Sequence, residues 1–293
     1  MCKANLKGGA KRYNKERKQG SMQDLTILHN NKNYLSSTQY YDSGNLSSRQ
    51  TIHQKFSTGQ QSWHDFIFEL AKVKPEMTVL ALGCGNAAQW RANQFRFPDN
   101  CHIVLSDFSH GMLRDAARGL SRDHRFLFLC MDSMEAAFPK FQFDLITANH
   151  MLYHVPSVPQ VLENAVRLLK SGGRFMAATN GVEHMSDLDD LLARFSKRLD
   201  GKHGMSSAFN LLNGEAQLRK YFSKIELHLY PSDLWVTNAK LLTKYAYSTP
   251  IVKENLGSEG SEEMTAFFER RIEHYGGILI RKQTGVFLAE NPL

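Results

Sequence analysis

TVLALGCGNA (residues 78–87) is the stretch of sequence that decides the fold. A short apolar strand runs directly into a Gly83-x-Gly85 turn, a helix-length stretch follows, and a second apolar strand ends on Asp107. The two glycines let the backbone turn tightly and approach a ligand without a Cβ in the way. Asp107 follows Gly83 by 24 residues, about the spacing at which an acidic residue receives ribose hydroxyls. The pattern predicts a nucleotide-binding crevice.

The continuation of the turn separates one class of cofactor from another. A dinucleotide-binding fold has a third glycine where this chain has Ala88. Three further motifs follow in order, DFSHGML from Asp107, MDS from Met131 and FDLITAN from Phe143. Together with the glycine turn they resemble the class I S-adenosylmethionine-dependent methyltransferases, in a methyltransferase type 11-like, small-molecule branch. The resemblance is strong over residues 60–180 and looser beyond them.

The sequence departs from that family at two positions. The family commonly has Asp or Glu at the position of Ala81 and Gly at the position of Ala87. The missing carboxylate removes a polar anchor under the methionine end of the cofactor. This difference motivates an alternative from another class, a non-catalytic module that binds the cofactor or a partner.

The fold class predicted is α/β, with strands and helices alternating in a way that implies right-handed crossovers and a parallel sheet. The resemblance implies a Rossmann-like, doubly wound, seven-stranded, mostly parallel sheet whose last strand is antiparallel. After Asn180 the alternation stops, and residues 181–212 show an acidic helix start without a strand-like run. We expect this segment to form a helical lid insertion over the carboxyl ends of the strands, where ligands bind in such sheets.

The net charge of +7 is concentrated at the amino terminus. Residues 1–33 contain eight Lys or Arg and only two acidic residues, so we expect a basic, flexible extension followed by a methyltransferase domain over residues 34–293. The remaining chain has almost no net charge, which does not favour a polyanionic partner. An RNA methyltransferase that uses the basic extension is the enzymatic alternative.

The cysteines show no Cys-x-x-Cys pairing, and three of the four lie at or in predicted strands. They are typical of reduced, buried residues in a cytoplasmic protein. No stretch approaches the ~20 apolar residues of a membrane span, so no membrane partner is expected. The oligomeric state is left open.

The resemblance implies a set of cofactor-binding residues at consecutive strand ends. The glycines line the methionine portion, an acid at the second strand meets the ribose, and an Asp-Ser pair at the third strand meets the adenine. Asp107 and Asp132 could each instead cap a short helix or turn. An arginine upstream of the glycine turn could pair with the methionine carboxylate, or it could be an ordinary surface arginine. The predicted cofactor-binding residues are Gly83, Gly85, Asp107, Asp132, Ser133, Asn149 and Arg49.

The loop after the fourth strand carries the candidate catalytic residues His150, Tyr153 and His154. In related enzymes this loop faces both cofactor and acceptor. Either histidine could take a proton from a hydroxyl or amine, since imidazole titrates near neutrality, and the tyrosine could orient the acceptor or contact the sulfonium. Either histidine could also only pack. No metal site is predicted, because the two histidines have no acidic or thiol third ligand.

These observations predict an S-adenosylmethionine-dependent methyltransferase that transfers a methyl group to an oxygen or nitrogen of a small molecule. Its cofactor is S-adenosyl-L-methionine, and its partner is the small-molecule methyl acceptor. The sequence does not specify the acceptor.

Overall fold

The computed structural model describes residues 44–200, 208–257 and 260–293. The predicted extension of residues 1–33 lies outside the described residues. Within the described residues, no helix is long and apolar enough to cross a membrane.

Within the described residues nine strands are formed, each where the sequence has a short apolar or alternating run. Those nearest the glycine turn are apolar on both faces, as strands inside a parallel sheet must be. In chain order they are β1 (Thr78–Ala81), β2 (His102–Asp107), β3 (Phe126–Cys130), β4 (Phe143–Asn149), β5 (Leu169–Asn180), β6 (Phe222–Leu229), β7 (Leu234–Val236), β8 (Ile278–Ile280) and β9 (Thr284–Pro292).

Seven of these strands form one sheet in the order β3-β2-β1-β4-β5-β9-β6. The pairs β1–β2, β1–β4, β2–β3 and β4–β5 are parallel. Strand β9 is antiparallel to both of its neighbours, β5 and β6. The predicted seven-stranded, mostly parallel sheet with an antiparallel last strand is confirmed.

Ten α-helices surround the sheet in the part of the chain that the structure describes. Several begin at a serine or asparagine whose side chain accepts a backbone N–H of the first turn, for example Ser109 and Ser157. In chain order they are α1 (Gly44–Phe56), α2 (Trp63–Ala71), α3 (Ala88–Ala92), α4 (His110–Leu120), α5 (Val158–Leu168), α6 (Ser186–Phe195), α7 (Gly214–Leu218), α8 (Ala239–Tyr247), α9 (Pro250–Leu256) and α10 (Ser261–Tyr275).

Helices cover both faces of the sheet, each through its apolar side. On one face α5 packs with Phe175 and Phe222, whose rings stack 5.8 Å apart. On the other face α2, α3 and α4 pack against Ile103 and Leu105. The predicted doubly wound arrangement is thereby confirmed.

The segment from Ile278 to Leu288 does not form one continuous strand. It is split by residues 281–283 into β8, which pairs with β7 in a separate two-stranded sheet, and β9, which lies between β5 and β6. The expectation that the strand cysteines are buried holds for Cys101, whereas Cys84 is half-buried and Cys130 is exposed. Cys130 is the last residue of β3, where the strand leaves the core.

A third apolar core lies outside the two faces of the sheet. It joins α1, residues 185–199 and the described residues of 234–280, through side chains such as Ile52, Leu192 and Phe268. We call these three segments the cap. The sequence predicts one insertion over about residues 181–212, but in the structure its helix α6 packs with two segments far away in the chain.

Replacing Phe175 by Ala is expected to lower the free energy of unfolding by about 3–5 kcal/mol, because it leaves a cavity between the sheet and its helices. Phe175 is fully buried, whereas Phe95 is 95% exposed. The matched control Phe95→Ala should therefore change the free energy of unfolding by less than about 0.5 kcal/mol. Denaturant unfolding of both variants checks this, and similar losses in the two would contradict the assignment of the core.

Candidate functional site

The glycine turn after β1 has the backbone that its sequence requires. Gly83 and Gly85 have φ of 60° and 57°, in the left-handed region that favours glycine. A Cβ on Gly83 would lie 2.8 Å from the Cβ of Met151, so the turn and the loop after β4 are in direct contact. Ala87 also has a positive φ, of 54°, which explains why a glycine suits this position in similar proteins.

The carboxylate of Asp107 holds the turn in place. Its Oδ2 accepts a hydrogen bond from the backbone N–H of Gly85 at 2.9 Å, and its Oδ1 accepts one from Ser109 at 2.9 Å. The side chain is only 6% exposed, and burial raises the pKa of this carboxyl although the two backbone hydrogen bonds oppose the rise. Asp107 therefore fixes the two backbone segments that border the predicted ribose site.

The structure places Asp132 and Ser133 at the carboxyl end of β3, next to the end of β2. Asp132 precedes a 3₁₀ turn over Ser133–Glu135, and its Oδ1 accepts a hydrogen bond from the N–H of Met134 at 2.9 Å. The capping role that the sequence allows for this residue is thus present. Its position at the strand end also fits the predicted adenine site.

Asn149 is the last residue of β4, and its amide group is only partly satisfied. The Nδ2 atom donates to the side-chain oxygen of Gln89 at 3.1 Å. The Oδ1 atom is buried and has no hydrogen-bond partner within the described residues. Because a buried acceptor without a donor is costly, Asn149 is suited to receive an N–H group from a bound ligand.

Helix α1 covers the glycine turn through Gln50, a contact that the sequence does not predict. The amides of Gln50 and Asn86 exchange two hydrogen bonds, of 3.3 and 3.1 Å. The adjacent residue, Arg49, points elsewhere: its guanidinium donates to the carbonyl and hydroxyl oxygens of Ser248, at 2.8 and 3.2 Å, after the end of α8. The structure does not bring Arg49 together with the other predicted cofactor residues.

His150 follows β4 directly and is half-buried among aromatic side chains. We call the space beside these rings the cleft. Its ring centroid is 5.2 Å from that of Trp63 and 6.4 Å from that of Tyr153. Its φ is 55°, a conformation that costs a residue with a Cβ on the order of 1 kcal/mol or more and is concentrated at functional sites. Burial lowers the pKa of His150 to about 4, so the imidazole is neutral at pH 7.

Tyr153 and His154 form a 3₁₀ turn with Leu152 on the far side of His150. The rings of Tyr153 and His154 are 4.5 Å apart, so the tyrosine lies between the two histidines. All three predicted catalytic residues are thus in one loop, and His150 contacts the ring of Trp63.

Three basic side chains that the sequence analysis misses complete the cleft. His53 is in the last turn of α1, His184 follows β5, and Lys282 precedes β9. The rings of His53 and His184 are 6.3 Å apart, and the Lys282 ammonium is 5.1 Å from the ring of Tyr230. No local motif in the sequence marks these residues.

The sheet order, the glycine turn and the acid at the end of β2 are features of the class I S-adenosylmethionine-dependent methyltransferase fold, and S-adenosylmethionine is the cofactor of this class. Residues 80–177 match the protein family described as Methyltransferase domain. The match begins in β1 and ends in β5, so it covers the strands that carry the predicted cofactor residues.

Known proteins similar to this chain agree with the class. A demethylmenaquinone methyltransferase of Clavibacter sepedonicus is 33% identical over 97 residues, 33% of this chain and 38% of that protein. A phosphoethanolamine N-methyltransferase 2 of Haemonchus contortus, solved with S-adenosyl-L-methionine, superposes with a TM-score of 0.56 at 16% identity and covers 89% of this chain and 60% of that one. The [4+2]-cyclase SpnF gives a TM-score of 0.55 at 17% identity, with 89% and 96% covered.

The similarities in sequence and the similarities in structure support different conclusions. The chain spans between 38 and 51% of the length of the curated relatives that it matches first. The solved structures are so distant in sequence that they show the fold alone, and one of them is named for a cyclisation. Evidence for the reaction and for its acceptor therefore comes from the residues of the site.

Asp107→Asn is expected to weaken binding of S-adenosylhomocysteine by on the order of 1–3 kcal/mol, because it removes charge-assisted hydrogen bonds to ribose hydroxyls. A matched control is Asp99→Asn, since Asp99 is fully exposed and precedes the opposite end of the same strand. Calorimetry measures both dissociation constants, and thermal unfolding checks that each variant folds. An unchanged dissociation constant in a folded Asp107→Asn variant would overturn the ribose role.

Proposed function

We propose that this protein is an S-adenosylmethionine-dependent methyltransferase that methylates an oxygen or nitrogen of a small molecule. The observation that carries the proposal is His150: a neutral imidazole held at a positive φ, at the end of β4, in an aromatic cleft. Its neighbour Met151 contacts the glycine turn, so the base is adjacent to the predicted cofactor site.

The residues present fit the cofactor. Gly83 and Gly85 offer backbone without a Cβ, Asp107 offers a carboxylate at the ribose position, and Asn149 offers a buried acceptor that needs a donor. Asp132 and Ser133, at the end of β3, are the residues that we assign to the adenine. When bound, the cofactor supplies an electrophilic methyl group on a sulfonium.

The protein's own contribution is positioning and proton removal. Methyl transfer is an in-line displacement, so holding the acceptor in line is worth much of the rate enhancement. The rings of Trp63, Tyr230 and Tyr153 can hold a flat or apolar acceptor, and His150 can take the proton that an attacking hydroxyl or amine loses. We assign His154 and Tyr153 supporting roles in orienting the acceptor.

Two observations support a small acceptor over RNA. The loop after β4 reads Asn-His-Met-Leu rather than the Asn/Asp-Pro-Pro-Tyr that holds a flat base amide in similar enzymes. The cap also borders the cleft through His53 and Tyr245, as expected of a pocket for a small molecule rather than an open groove for a polymer. The similar demethylmenaquinone and phosphoethanolamine methyltransferases bear names of small acceptors, which supports the same proposal.

His150→Asn is expected to lower turnover by about 10²-fold while the S-adenosylmethionine dissociation constant changes less than about twofold, as removal of a general base predicts. Asparagine is chosen because it tolerates a positive φ. His274, exposed on α10, provides the control His274→Asn. Turnover is measured as S-adenosylhomocysteine release over a panel of phenols, carboxylic acids and amines. Full turnover in His150→Asn would contradict the base, and an absence of cofactor binding in the unmodified protein would favour a non-catalytic module.

The acid limb of kcat/KM is expected near pH 4, not near the ordinary imidazole value of about 6.5. The sign follows from burial: it disfavours the imidazolium, so His150 stays a base until the pH falls below its lowered pKa. A pH–rate profile measures this limb, and circular dichroism at each pH excludes unfolding as its cause. A limb between pH 6 and 7 would show that another group or an exposed imidazole is the base.

A further inference from the structure

The cleft beside His150 has a basic wall that the proposed reaction does not use. His53 comes from α1 in the cap, His184 from the loop after β5, and Lys282 from the loop between β8 and β9. Three separate parts of the chain thus place a basic side chain in the same cleft. All three side chains are half-buried, which is the exposure expected of residues that line a cleft.

The three side chains are held in place by specific contacts. The His184 ring is fixed through Nδ1, which lies 3.1 Å from the carbonyl oxygen of Gln283 and 3.2 Å from the hydroxyl of Thr284. The His53 ring packs 5.9 Å from Tyr245. The Lys282 ammonium lies 3.5 Å from the hydroxyl of Ser57. With Nδ1 engaged, Nε2 of His184 is the nitrogen that can meet a ligand.

The charges around this wall are unbalanced. Asp233 is the one acid that favours the charged form of Lys282, and it also accepts the backbone N–H of that residue at 2.9 Å. Asp187 is engaged by Arg281 at 2.6 Å, and Glu183, next to His184 in the chain, has an exposed side chain. Tyr245 of α8 and His150 also face the wall, and neither supplies negative charge at neutral pH. The cleft therefore holds more potential positive charge than negative charge.

Protonation in the absence of a ligand reflects this imbalance. Burial lowers the pKa of His53, and repulsion from His184, Lys282 and His150 lowers it further. Burial and repulsion by His150 and Lys282 lower the pKa of His184 to about 3, and burial lowers the pKa of Lys282 to about 8. An anion in the cleft would reverse these effects, because it favours the charged form of every basic group within reach.

We propose that His53, His184 and Lys282 form a subsite for an anionic group of the acceptor, a carboxylate or a phosphate, beside the base His150. The proposal rests on the proposed function, since it names the class of acceptor for that site. It assigns the acceptor two parts, an acidic group bound by the basic wall and a nucleophilic oxygen or nitrogen presented to His150. Two imidazoles and an ammonium supply donors for two or three oxygens, which matches either anion.

Calorimetric titration of the full chain at pH 7 with benzoate, phenyl phosphate and neutral benzamide tests the subsite, with and without S-adenosylhomocysteine. We expect one of the two anions to bind at least tenfold more tightly than benzamide, and the preferred anion identifies carboxylate or phosphate. Repeating the titration in buffers of different ionisation enthalpy should reveal net proton uptake on binding. Equal affinities for all three probes, or no binding of either anion, would overturn the proposal.

Lys282→Met and His53→Gln are each expected to weaken binding of the preferred anion at least tenfold, and to leave the S-adenosylhomocysteine dissociation constant within twofold. Lys240→Met and His274→Gln are the matched controls, because both residues are exposed on cap helices away from the cleft. Two variants guard against the misfolding of one, which thermal unfolding detects. Anion binding that survives in both folded variants would overturn the subsite.

The two proposals fail in different ways. If S-adenosylhomocysteine binds and the anions do not, the subsite is wrong and the methyltransferase proposal stands. If the anions bind through Lys282 and the cofactor does not bind, the subsite stands as an anion site and the proposed function is wrong.

Discussion

The carboxylate of Asp107 is the interaction on which the rest of the site depends. One of its oxygens holds the glycine turn after β1, and the other holds the backbone before α4. Without this bridge the turn would have a partly buried N–H without its acceptor. Because the glycine turn contacts the loop after β4, the position of His150 also depends on the bridge.

The sequence predicts best those features that local patterns specify. Apolar runs identify the parallel strands, glycines identify the turn, and the acid at the end of β2 is found from its spacing to the turn, since each of these lies within a few tens of residues. The cap is different. Its core joins α1 to residues 185–199 and to the described residues of 234–280. The apolar periodicity of one segment does not indicate which distant segment it packs against. The predicted single lid follows from that limitation.

The candidate site also contains residues that the sequence predicts and residues that it does not. His150, Tyr153 and His154 were found because they follow a recognisable strand, and Asp132 and Ser133 for the same reason. The sequence does not predict His53 or Lys282 as site residues, because they come together only when distant segments of the chain pack against each other. The basic groups of the cleft are an outcome of tertiary packing, as is the burial that keeps His150 neutral. Arg49 is the opposite case. Its charge suits a cofactor carboxylate, but its guanidinium binds Ser248 within the cap.

Helix α1 touches both halves of the site, and this has a thermodynamic consequence. Gln50 binds the glycine turn through Asn86, Arg49 binds the end of α8, and His53, one turn further, faces the acceptor cleft. A cofactor that orders α1 by binding beside the glycine turn would also order His53, which lies in the wall of the acceptor cleft. The conformational entropy of ordering the helix is then lost only once for the two ligands. Each ligand should therefore raise the affinity of the protein for the other by the same factor.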